Sequence, residues 1–166
     1  ANLKDQDGSL RAYLDQIYAE YGYFQEVQKS VARVGARGSR EIDCIMAALR
    51  TDPPEQIGGY PVFEIIDRKI GKAANSKAGS VRDVAGAKGD AIAFTFSNPG
   101  HSRISARPSG TEPKIKYYVS VTSADQPKTS GGNLNEVKSK VDEMAADIME
   151  GMLALSEQIL QEEPSA

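Results

Sequence analysis

The sequence has a single cysteine, Cys44, so an internal disulfide and any multi-cysteine metal site are excluded. A lone thiol suits a reducing compartment, and Cys44 itself is expected to be a small core residue. No run approaches the ~20 apolar residues that cross a bilayer, and no charged, apolar, small-residue leader opens the chain. The expectation is a cytoplasmic protein with no membrane partner. An excess of positive charge is missing too. Twenty Lys and Arg stand against 23 Asp and Glu, a net charge of −3, so no global positive field exists to release counterions from a polyphosphate backbone. Nucleic acid is therefore not an expected partner.

What is present is 166 residues with 40% hydrophobic content, enough for one well-buried core or one core with a short appendage. The chain opens on Ala1-Asn2 with no initiating methionine and is expected to be a piece of a longer polypeptide.

Leu10, Tyr13, Leu14, Ile17, Tyr18 and Tyr21 recur at the spacing of one helix face, with Gly22 as C-cap, which predicts a helix over 9–21. Tyr23, Phe24, Val27, Val31 and Val34 predict a strand over 23–34, ended by a break at Gly35 and Gly38. Ser39 is the expected cap of a second helix with Ile42, Ile45, Met46 and Leu49 on one face, stopped by Asp52-Pro53-Pro54. A strand is predicted over 61–67. The polar stretch 68–90 carries Arg68, Lys69, Lys72, Lys77, Arg82 and Lys88 without aromatics to stack a base, and is expected to be a solvated, mobile loop.

Alternation then marks three strands: Ile92, Phe94 and Phe96; Ile104 and Ala106; and Ile115, Tyr117, Val119 and Val121. Asn98-Pro99-Gly100 supplies the first turn, and the result is an antiparallel meander with one buried face. Asn133 and Glu136 start a long final helix whose Leu134, Val137, Val141, Met144, Ile148, Met152, Leu155 and Ile159 cover the sheet.

Between the last two strands lies Arg107-Pro108-Ser109-Gly110-Thr111-Glu112-Pro113-Lys114, too long for a minimal hairpin turn and composed like an anion seat. A guanidinium fork holds two phosphate oxygens, the Ser109 and Thr111 hydroxyls donate, and Gly110 lets backbone N–H groups come close. If Ile104, Ala106, Ile115 and Tyr117 face the core, Arg107 and Lys116 both point the other way and converge on one side of the hairpin. Glu112 is discordant in such a seat and is expected to point away or pair with a nearby cation. Composition alone leaves open a rigid Pro/Gly hairpin with a surface ion pair.

The order of residues goes further. The run Arg107-Pro108-Ser109-Gly110-Thr111-Glu112-Pro113-Lys114-Ile115-Lys116-Tyr117-Tyr118 resembles the phosphate-binding loop and following strand of the last domain of the phosphoglucomutase/phosphomannomutase family. The Leu49–Gly59 and Leu14–Tyr23 stretches are similar to its longer-chain group, so the resemblance covers about residues 9–160 and is weakest over 68–90.

The resemblance implies an α+β fold, an antiparallel four-stranded sheet flanked by helices of the TATA-binding-protein-like type, with no implication of DNA binding. It implies that 1–22 are the tail of a preceding third domain and linker, and 23–166 the C-terminal phosphate-binding domain. Arg107, Ser109, Gly110 and Thr111 match the phosphate loop, Lys116 sits where the family places a basic residue, and Lys114 is a further contact. Lysine at 116 gives up the bidentate geometry of arginine.

In the family, a phosphoserine and Mg²⁺ held by closely spaced aspartates lie in earlier domains, a third loop reads the sugar, and the last domain holds the phosphate that is not transferred. The implied reaction interconverts hexose 1- and 6-phosphates. No Ser-His-Asn run is present here, and His101 is expected to be a solvated turn residue with no nucleophile pattern beside it. Asp5-Gln6-Asp7-Gly8 lacks a third carboxylate and is expected to be a linker ahead of a helix-starting Ser9. The expected partners are thus a phosphosugar and the missing N-terminal domains, with Mg²⁺ bound outside this chain and no catalysis by the chain alone. A phosphoglucosamine mutase or phosphopentomutase domain uses a similar loop, and a stand-alone anion-binding or interaction module is the reading from a different class.

Overall fold

Helix α1 spans Leu10–Tyr21 in a computed structural model that describes residues 9–97, 101–125 and 133–162. The expected turn at Asn98-Pro99-Gly100 and the Asp5-Gln6-Asp7-Gly8 segment lie outside the described residues. The Ser9 hydroxyl accepts from the Ala12 N–H at 3.3 Å and Gly22, at φ +94°, ends the helix, as the cap residues predict. None of its residues is buried. It is held to the body by Lys138, whose ammonium lies 2.7 Å from Asp15 and 4.8 Å from the centre of the Tyr18 ring.

Strand β1 (Phe24–Ala32) leads into helix α2 (Gly35–Thr51). The helix starts four residues before Ser39, with no side-chain cap at Val34. The two glycines expected to break the chain begin the helix instead. A Cβ on Gly38 would lie 2.1 Å from the Arg33 carbonyl oxygen, so the first turn wraps against Arg33 in a space only glycine leaves. Cys44 lies half-buried on this helix rather than in the core.

Two-residue strands β2 (Gln56–Ile57) and β3 (Tyr60–Pro61) form a hairpin through Gly58 and Gly59, both at positive φ. The strand predicted over 61–67 is divided. Val62 and Phe63 donate to Glu55 and Thr95 carbonyls, turning Val62 into the core before β4 (Glu64–Asp67).

The stretch 68–90 departs from expectation. It holds β5 (Lys72–Asn75) and β6 (Val81–Asp83), which pair with each other and extend the sheet from β4. The meander follows as β7 (Ile92–Thr95), β8 (Arg103–Pro108) and β9 (Lys114–Thr122), and helix α3 (Leu134–Glu162) closes the described chain. The Asn133 side chain accepts from the Asn135 N–H at 3.0 Å at its start.

The sheet is antiparallel in the order β1-β9-β8-β7-β4-β5-β6. The α+β class with helices flanking an antiparallel sheet stands, while the sheet has seven strands where four were expected. The four strands β1, β9, β8 and β7 meet α2 and α3, and β4, β5 and β6 are added at the β7 edge. Ile104, Ala106, Ile115 and Tyr117 are at most 1% exposed beneath the helices, together with Phe94, Ile45, Leu49, Ile148 and Met152. Burying a side chain of this size stabilises the fold by roughly 1.5–3 kcal/mol. The Tyr117 hydroxyl, inside this core, meets the Ser156 hydroxyl at 2.7 Å, and burial pushes its pKa up. The opposite face of the sheet carries no helix of the described chain.

Candidate functional site

Strands β8 and β9 leave Ser109–Pro113 as their connection. The Ser109 N–H donates to the Lys114 carbonyl at 2.8 Å and the Lys114 N–H to the Glu112 carbonyl at 2.7 Å, closing the hairpin. The Pro113 carbonyl accepts from the Arg33 N–H at 2.8 Å. Arg33 is itself clamped by its guanidinium to Glu157 of α3 and lies 3.8 Å from Glu41 of α2. The foot of the loop is thus tied to both helices through one arginine, whose position depends on the glycine at 38.

The tip is different. The amides of Gly110, Thr111 and Glu112 donate to no backbone carbonyl among the described residues. A Cβ on Gly110 would meet nothing within 4 Å, so the loop approaches open space. Three consecutive undonated amides with two hydroxyls are the donor set of an anion nest. Ser109, Gly110 and Thr111 also line a cavity of about 310 Å³ against α2, where Ser39 and Asp43 face them. Sequence patterning did not single out Asp43, a second carboxylate at the loop, because nothing local links α2 to this hairpin.

Arg107 and Lys116 are direct cross-strand partners on the face away from the helices, as the alternation predicts. Cβ atoms of such pairs lie about 4.5–5.5 Å apart, and like charges placed opposite one another destabilise a sheet. No carboxylate is paired with either side chain among the described residues. Lys114 is committed elsewhere, in an ion pair with Glu112. The hydrogen bond and charge of Lys114, then the charge of Lys116, hold the Glu112 carboxyl below the usual carboxylate range. The discordant carboxylate thus takes up one cation in an ion pair and leaves Arg107 and Lys116 with no ion-pair partner among the described residues. The structure brings Arg107 together with Lys116, and Ser109 with Gly110 and Thr111 on the adjoining loop.

Among the described residues, no group of three or more His, Cys, Asp or Glu could hold a metal ion, and no helix is long and apolar enough to cross a membrane. His101 is exposed.

No protein-family model matches the chain. It is 35% identical over 122 residues to a phosphoglucomutase of Staphylococcus epidermidis, an overlap covering 74% of this chain and 22% of that protein. It is 36% identical over 124 residues to a probable phosphomannomutase of Haemophilus influenzae, covering 75% of this chain and 22% of that protein. Among solved structures, the open form of parafusin, a phosphoglucomutase from Paramecium, aligns with 98% of this chain and 26% of its own, at 16% identity and a TM-score of 0.47. The chain thus spans about a fifth of the length of the curated relatives it matches.

Proposed function

The chain belongs to the phosphoglucomutase/phosphomannomutase family, and from that premise we propose that it is the C-terminal domain, holding the phosphate of a hexose phosphate that is not being transferred. In this reading residues 23–166 are the phosphate-binding domain and residues 1–22 the tail of a preceding one. The remaining domains of the longer, cytoplasmic protein carry the phosphoserine and Mg²⁺ and interconvert hexose 1- and 6-phosphates. The described residues offer no donor set for that metal.

The observation that carries this reading is the pair of like charges, Arg107 opposite Lys116, beside a tip with three undonated amides. A dianion between the two cations converts their repulsion into two attractions. The Arg107 guanidinium donates through two N–H groups, Lys116 acts as a point charge, and the Ser109 and Thr111 hydroxyls and the Gly110 amide complete the shell. Lys114 joins only by giving up Glu112. Such a site recognises the phosphate and not the carbon that bears it, which suits a reaction that presents either end of the sugar. Each charge-assisted bond contributes roughly 1.5–3 kcal/mol, enough in sum to help draw the domain over a bound substrate.

Titration of the chain with inorganic phosphate, followed by amide resonances, tests the site. The signals of Gly110, Thr111 and Glu112 and the side-chain Nε–H of Arg107 are expected to move together. Binding that shifts other residues and leaves 107–116 in place would remove the assignment, and mutase turnover by the purified chain would contradict its role as a binding domain.

A further inference from the structure

Beyond Arg107 and Lys116, the helix-free face of the sheet is ordered in three rows across β8, β9 and β1. In the row at the loop, Arg107 lies opposite Lys116 and Lys116 opposite Ser30. The next row is neutral throughout, with Ser105 opposite Tyr118 and Tyr118 opposite Gln28. The third row runs from Arg103 through Ser120 to Glu26. Two cations, then hydroxyl, phenol and amide, then one cation and one carboxylate follow each other along the strands.

A cavity of about 380 Å³ lies over the second and third rows, lined by Glu26, Gln28, Arg103, Ser105, Tyr118 and Ser120. That volume falls within the range of small-molecule sites. None of the six side chains forms a hydrogen bond or ion pair among the described residues, although Ser105, Tyr118 and Ser120 are half-buried. Polar groups inside the same sheet are matched, as Tyr117 is by Ser156. On this face they are left open.

We propose that this face is a hydroxyl-reading subsite for the sugar of a phosphosugar whose phosphate sits on Arg107 and Lys116, an inference that rests on the phosphate reading above. Successive rows on one face are two residues apart, about 6.7 Å. A phosphate on the first row therefore sets the carbon skeleton of its ester over the neutral second row. There Ser105 and Tyr118 hydroxyls both donate and accept, and the Gln28 amide does the same through separate atoms, which matches a ring carrying several hydroxyls. At the far end Glu26 accepts from a pair of neighbouring hydroxyls and Arg103 donates. Charge complementarity orients the ligand, because only the loop row concentrates two positive charges.

The test compares inorganic phosphate with glucose 6-phosphate on the intact 166-residue chain by amide resonances and calorimetry. Both are expected to shift residues 109–112, and only glucose 6-phosphate to shift Gln28, Ser105 and Tyr118 as well, with a Kd about tenfold lower. Combining Ser105→Ala with Tyr118→Phe is expected to erase that tenfold advantage and leave the Kd for inorganic phosphate unchanged. Equal affinities and identical shifts for the two ligands in the unmodified chain would overturn the subsite while the phosphate site stood. Should neither ligand perturb 107–116, both readings fall together.

Discussion

Two hairpins of the same sheet carry clustered cations, and they use them in opposite ways. In the strands β5 and β6 the charges are matched, with Lys72 2.7 Å from Asp83 and Arg82 donating to both carboxylate oxygens of Glu64 at 2.9 and 2.7 Å. The nearby Arg68 donates to the Ala85 carbonyl, and Lys77 in the connecting turn has no carboxylate partner among the described residues. In β8–β9, Arg103, Arg107 and Lys116 have no carboxylate partner among the described residues, and the only matched cation is Lys114. Counting Lys and Arg makes 68–90 look like the stronger anion-binding segment. A cation is available to a ligand only where the chain has not already neutralised it, and partners decide that more than numbers do.

The largest expected effect separates the two faces of β8–β9. Ile104→Ala, on the helix-covered face, is expected to lower stability by about 3 kcal/mol and Tm by roughly 6–12 °C in calorimetry. An equal loss from Arg103→Ala on the opposite face would break the division between a stabilising side and a binding side. Next, Arg107→Ala is expected to weaken inorganic phosphate binding about 30-fold, near 2 kcal/mol, with Tm held or slightly raised by relief of the repulsion from Lys116, while Arg82→Ala leaves the phosphate Kd as it was. Phosphate affinity lost through Arg82 and kept without Arg107 would invert the comparison between the hairpins.

The smallest effect sharpens it. Glu112→Gln frees Lys114 and removes a negative charge at the loop, so phosphate binding should tighten by roughly two- to threefold at low salt. The direction with pH follows from the depressed Glu112 carboxyl. A lowered folded pKa means that the ion pair with Lys114 supports the fold above the unfolded pKa and is lost as pH falls through the folded value. Glu112 therefore stays charged between about pH 6 and 8, and phosphate binding by the chain and by the Glu112→Gln variant should follow parallel pH profiles there. Profiles that diverge within that window would show Glu112 exchanging a proton with ligand binding.

Where local pattern sets structure, the sequence was readable. Ser9 and Gly22 bound α1, period-two alternation from Ile104 to Val121 assigns the faces of β8 and β9, and the Asn133 cap opens α3. The pairing of Arg107 with Lys116 follows from that alternation once the two strands form a hairpin. What was missed depends on distant contacts. Arg82 and Glu64 are 18 residues apart and meet only because β4, β5 and β6 are neighbours, so 68–90 looked like a loop. The start of α2 at Gly35 depends on how closely Arg33 can pack against Gly38, and Asp43 reaches the loop cavity only through the docking of α2.

By itself, the order of residues determined the elements with a clear period, the loop with its arginine, hydroxyls and glycine, and the family that the loop belongs to, because each of these is written within a dozen neighbouring positions. Only the tertiary structure decided which cations are already matched, which amides at the tip are undonated, and which polar side chains of β1 line up beside the seat. Those depend on strand order and register, set by the burial of Tyr117, Phe94 and their neighbours against two helices far away in the chain.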